Sequence, residues 1–76
     1  MSEKLPRVEG REVVRALERA GFEKRRQKGS HVHLRRDSDH KRVTVPVHSG
    51  RTLPPGTLRS ILRDAGVDIE EFRQLL

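Results

Sequence analysis

Apolar residues in this chain change their spacing twice, which restricts it to a fold mixing helices with strands. Val13, Val14, Leu17 and Ala20 recur at helical spacing, Val32 with Leu34 and Val43 with Val45 alternate with polar residues, and Leu58, Ile61, Leu62 and Ala65 return to the helical period. A period near 3.6 buries one side of a helix, and a period of two buries one face of a strand. The spacing predicts a first helix over about residues 10–20, followed by Gly21 where a left-handed residue is usual. It then predicts strands near 22–28, 31–36 and 42–47.

Turn chemistry joins these segments. Gly29 and Ser30 suit a tight turn between the first two strands, and Asp37, Ser38, Asp39 and His40 form a polar loop before the third. Pro54 and Pro55 fit only the first turn of a helix, whose apolar stripe ends at Gly66. Asp68 with Glu71 resembles a capping box and opens a short final helix carrying Phe72, Leu75 and Leu76. The expected fold class is α+β: a three-stranded antiparallel sheet with two helices packed on one face, in the order α-β-β-β-α, plus the short C-terminal helix. With no repeat, low-complexity segment or linker, a single domain over residues 1–76 is expected.

At 76 residues, 32% hydrophobic and 37% charged, the chain can build only a thin core. A chain this short buries about 60% of the surface its unfolded form exposes, so a partner that binds the folded form would add stability. The absence of cysteine excludes disulfides, thiolate nucleophiles and thiolate metal sites, and points to a reducing compartment. Met1 to Gly10 hold no apolar run like a signal-peptide core, and no stretch approaches the roughly 18 apolar residues of a membrane span. A cytoplasmic protein without membrane contact is expected.

Charge is informative by position. Residues 1–36 hold 11 Lys and Arg against 5 Glu, whereas residues 37–76 hold 6 of each sign, so the whole net charge of +6 belongs to the first half. Residues 24–36 carry six basic side chains and no acidic one, a footprint suited to phosphates through counterion release. An ordinary solvated face is the plainer alternative, although such faces usually mix both signs.

His31 follows Gly29 and Ser30 directly behind Lys24, Arg25, Arg26 and Lys28. Histidine exchanges protons near neutrality, and a cationic neighbourhood concentrates polyanions around it. If Val32 and Leu34 face the helices, then His31, His33 and Arg35 face the other way, onto an open basic surface. A histidine near a turn is as often a surface residue or a cap for a carbonyl. His31, His33 and His48 could also make a three-histidine metal site, but His48 is better read as fixing the turn into Ser49 and Gly50, and no metal is expected. The N-terminal turn of the second helix could bind a phosphate, though capping by solvent or by Thr52 is the simpler account.

Three blocks carry a resemblance. Gly29-Ser30-His31, then Val45-Pro46-Val47-His48, then Gly56-Thr57-Leu58-Arg59-Ser60-Ile61-Leu62-Arg63-Asp64-Ala65-Gly66 occur in the order and at the separations of the HicA family of toxins from toxin–antitoxin systems. The chain resembles that family from Gly10 through Glu70-Glu71-Phe72, leaving Met1 to Val8 outside. The resemblance implies a fold similar to the double-stranded-RNA-binding domain and an endoribonuclease that cleaves messenger RNA and arrests growth. It further implies a HicB-type antitoxin that covers the active surface, and it makes His31 the catalytic residue.

RNA supplies its own nucleophile, the ribose 2′-hydroxyl, so a histidine base suffices and no cofactor is expected. On this reading His31 is the general base, Lys28 and Arg35 hold the phosphate, and Gly29, Ser30 and His33 complete the RNA-binding set. The sequence does not identify an acid for the leaving oxygen. His33 shares the face but lies about 7 Å along the strand, where a positioning or surface role is as reasonable. Two rival readings are a non-catalytic RNA-binding module and an interaction-only protein that docks an acidic partner. With no Trp or Tyr, and with Phe22 and Phe72 expected in the core, the chain lacks a stacking platform for splayed bases.

Overall fold

The computed structural model describes residues 4–76. The single-domain expectation and the reading of Met1 to Gly10 take in Met1, Ser2 and Glu3, which lie outside the described residues. Six elements follow in the order α1 (Gly10–Arg19), β1 (Glu23–Lys28), β2 (His31–Arg36), β3 (Lys41–Pro46), α2 (Pro55–Ala65) and α3 (Ile69–Leu75). The three strands form one antiparallel sheet in the order β1-β2-β3. This is the expected α+β arrangement, with the helices on one face and the layout of a double-stranded-RNA-binding domain.

Burial explains the layering. Val32 and Leu34 of β2 and Val43 and Val45 of β3 pack against Val13 and Leu17 of α1, Leu58, Ile61 and Leu62 of α2, and Phe72 of α3. Phe22, just ahead of β1, is buried with them, whereas all six residues of β1 are exposed. β1 therefore owes its place to Phe22 just ahead of it and to its ladder with β2 rather than to its own side chains.

Each helix end has a local cause. Glu9 precedes α1 in an extended conformation, and its N–H donates to Glu12 Oε1 at 2.9 Å. Both longer helices then close with the same pair of hydrogen bonds. Phe22 N–H donates to Leu17 O and Gly21 N–H to Glu18 O after α1, while Val67 N–H donates to Leu62 O and Gly66 N–H to Arg63 O after α2. α2 starts at Pro55, whose missing N–H needs no partner there. No side chain caps it, so the suggested Thr52 cap is corrected: Thr52 instead bridges Glu9 in a short antiparallel contact. The Asp68 cap is present, with Oδ1 accepting from Glu71 N–H at 2.7 Å.

Arg36 is the most committed charged residue among those described. Its Nη1 donates to Ala20 O at 2.8 Å and Nη2 to Ala65 O at 3.3 Å, the C-terminal carbonyls of α1 and α2. The same guanidinium meets Asp39 through Nε at 3.0 Å and Nη2 at 2.7 Å, and lies 4.6 Å above the Phe22 ring. The bond to Asp39 raises the Arg36 pKa against the opposing effect of burial, and the bond to Arg36 holds the Asp39 carboxyl below its ordinary value.

Close packing at Gly10 and the Asp39 ion pair both have measurable consequences. A Cβ at Gly10 would sit 2.1 Å from Pro46 O and 3.0 Å from Val47 Cα, both main-chain atoms, so Gly10→Ala forces α1 away from the end of β3. A loss of about 1–3 kcal/mol in urea unfolding is expected. Because Asp39 is depressed in the folded state, its contribution is complete above the ordinary carboxylate range and is lost as pH falls through its lowered value. Asp39→Asn should therefore be less stable than the wild type at neutral pH, with the gap between their melting temperatures closing on acidification.

Candidate nucleic-acid interface

The helices cover one face of the sheet and leave the other open. β2 alternates as the spacing demands, with Val32 and Leu34 buried and His31 exposed, while His33 and Arg35 are half-buried on the open side. Lys28 and His31 are cross-strand partners, so their Cβ atoms are about 4.5–5.5 Å apart. Arg26, His33 and Thr44 form the next row across the three strands on this face, and Arg35 and Arg42 belong to the row beyond.

The hairpin that presents His31 is the shortest possible. Lys28 pairs with His31 across two turn residues, and Gly29 has φ of +58°, as the first position of a type II′ turn requires. Ser30 O accepts from Val47 N–H at 2.6 Å, which ties the tip to the end of β3. Gln27 Nε2 donates to Gly29 O at 3.1 Å from the other side of the turn. Lys28, Gly29, Ser30 and His31 are thus brought together at one rigid corner of the sheet.

The remaining site candidates lie along β2. His33 is one same-face position from His31, about 7 Å on strand geometry, and its Nδ1 is 3.0 Å from Thr44 Oγ1. Arg35 is two such positions away, about 13 Å, so it does not share a corner with His31. Its Nε lies 2.9 Å from Asp37 Oδ1 without hydrogen-bond alignment. Arg25 Nη2 reaches the other oxygen of Asp37 at 2.6 Å and Glu23 Oε1 at 3.2 Å. Arg36 sits apart in its helix-end clamp and adds nothing to the open surface.

Arg25 and Arg26 are the residues that spacing alone misplaces. β1 pairs Lys24 with Leu34 and Arg26 with His33, so Arg25 is an extra residue, a bulge. A bulge breaks strict alternation, and both consecutive arginines line the open face. With Arg35, Arg42, His33 and Thr44 they border a shallow basin of about 490 Å³. His48 stands beyond β3, where its carbonyl accepts from Arg51 N–H at 3.1 Å and so holds the turn into Gly50. Among the described residues no three His, Cys, Asp or Glu side chains gather at metal-binding spacing.

The α-β-β-β-α layout, with a histidine at a basic corner of the sheet, is that of a small domain of double-stranded-RNA-binding-like fold. The family model described as HicA toxin of bacterial toxin–antitoxin matches residues 10–67. The chain belongs to the HicA toxin family, and its activity is accordingly that of a toxin opposed by an antitoxin. The match ends at Val67, so α3, which the resemblance in sequence includes, lies beyond it. No curated protein matches the chain. Among the described residues no helix is long and apolar enough to cross a membrane.

The tip turn generates a test of its own. A Cβ at Gly29 would meet nothing within 4 Å, so any penalty there is purely one of backbone conformation. Gly29→Ala should cost about 1–2 kcal/mol and Gly29→Asn less, since asparagine tolerates the left-handed region, as read by thermal unfolding.

Proposed function

We propose that this toxin is an endoribonuclease that cleaves messenger RNA without a metal ion, with His31 as general base, in the cytoplasm. The observation that carries the reading is the pairing of His31 with Lys28 at the exposed end of a basic sheet face. The neutral imidazole takes the proton of a ribose 2′-hydroxyl, and the resulting oxygen attacks the adjacent phosphorus. The bond to the 5′-oxygen breaks, that oxygen takes up a proton, and the products are a 2′,3′-cyclic phosphate and a 5′-hydroxyl. A positioned base contributes a factor of roughly 10² to 10⁴, and Lys28 stabilises charge on the non-bridging oxygens.

The rigid turn supports the same reading. Gly29 leaves the main chain bare at the corner, so a phosphate can approach His31 from outside the sheet. His33, oriented by Thr44, and Arg35 extend the contact to neighbouring nucleotides. A HicB-type antitoxin would silence the enzyme by covering the corner that holds His31 and Lys28.

Incubating the purified chain and its His31→Ala variant with a long RNA, with and without chelator, tests this. Cleavage by the wild type alone is expected, indifferent to chelator and leaving cyclic phosphate ends. Lys28→Ala should weaken RNA binding while keeping the fold. Binding by both proteins without cleavage by either would instead identify a non-catalytic RNA-binding module.

A further inference from the structure

The basin between β1 and β3 contains more cation than the cleavage step uses. Arg25, Arg26, Arg35 and Arg42 converge there from three strands, and their planar guanidinium forks match phosphate oxygens two at a time. Arg26 and Arg42 form no ion pair among the described residues. Arg25 and Arg35 share one exposed carboxylate, Asp37, at 2.6 and 2.9 Å. Asp37 thus occupies, from within the chain, the position between two guanidiniums that a bound phosphate would take.

We propose that this basin is a second phosphate subsite for the RNA strand, and that Asp37 is its resident counter-ion, displaced when a phosphodiester enters. The inference rests on the ribonuclease reading for the identity of the strand, and it assigns Arg25, Arg26, Arg42 and Asp37 roles that reading does not use. The subsite lies along β2 from His31 and spans the rows of His33 and Arg35, about 7 to 13 Å away on strand geometry, so it holds a phosphate other than the scissile one.

RNA is favoured over an acidic protein segment because the open face offers no exposed apolar anchor, Leu34 and Val43 lining the basin but being buried in the core. The only large hydrophobic side chain exposed among the described residues is Leu76, which is outside the basin. Protein interfaces draw their energy from buried aromatic and aliphatic anchors, whereas phosphate contacts require cations alone.

The probe is a 5′-fluorescein-labelled 12-nucleotide uridine RNA, titrated by anisotropy at several salt concentrations into His31→Ala, which serves as the non-cleaving reference. Adding Arg26→Ala and Arg42→Ala together should weaken binding tenfold or more. The same change should reduce the slope of log affinity against log salt by about 0.7 for each phosphate left unneutralised. Adding Asp37→Asn alone should tighten binding several-fold, a gain that misfolding cannot produce. Unchanged affinity and slope in the double arginine variant would overturn the subsite, as would weaker binding by Asp37→Asn. A fluorescein-labelled polyglutamate peptide that binds more tightly than the RNA would overturn it in favour of a protein-docking face. If wild type fails to cleave RNA while the anisotropy results hold, the ribonuclease reading falls and the phosphate subsite stands.

Discussion

The guanidinium of Arg36 joins four parts of the molecule that would otherwise meet only through weak packing. It bonds the last carbonyls of α1 and α2, the loop carboxylate of Asp39, and the face of Phe22. Those carbonyls have no partner inside their own helices, and a cation at helix C-termini also opposes the negative end of each dipole. In a chain with a thin core, one side chain that orients both main helices against the sheet sets the angle at which the open face is presented. The corner holding His31 lies at the other end of β2, so fold clamp and candidate site occupy opposite ends of a single strand.

A division of labour follows within the basic stretch. The six cations of residues 24–36 look equivalent when read in a line. The structure separates them into Arg36, which is structural, Arg25 and Arg35, which share Asp37, and Lys28 and Arg26, which border the open face without an ion pair among the described residues. Lys24 turns with Gln27 toward the side of α1. Net charge therefore overstates what is available to a polyanion, and the identity of each partner decides it.

Much of this architecture is legible in the sequence because the apolar pattern is unambiguous where it matters. Val32 with Leu34 and Val43 with Val45 set the faces of β2 and β3, and the Gly29-Ser30 turn fixes the register that leaves His31 outward. β1 offers no such pattern, since Glu23 to Lys28 contain no apolar residue, and its bulge at Arg25 has no glycine or apolar break to announce it. The Asp37 bridge and the Arg36 clamp depend on contacts between distant elements, which spacing does not encode. Thr52 departs from expectation for a related reason. A threonine before a helix usually caps it, but here Pro54 occupies the cap and Thr52 is drawn into a bridge with Glu9.

The alternation along β2 also has an evolutionary consequence. Val32 and Leu34 hold the domain together, while His31, His33 and Arg35, interleaved with them, meet whatever the domain encounters. Exposed substitutions usually change stability by no more than about 0.5 kcal/mol. The outward letters of this six-residue word can therefore change with little cost to the core, while Val32 and Leu34 between them carry the folding instructions.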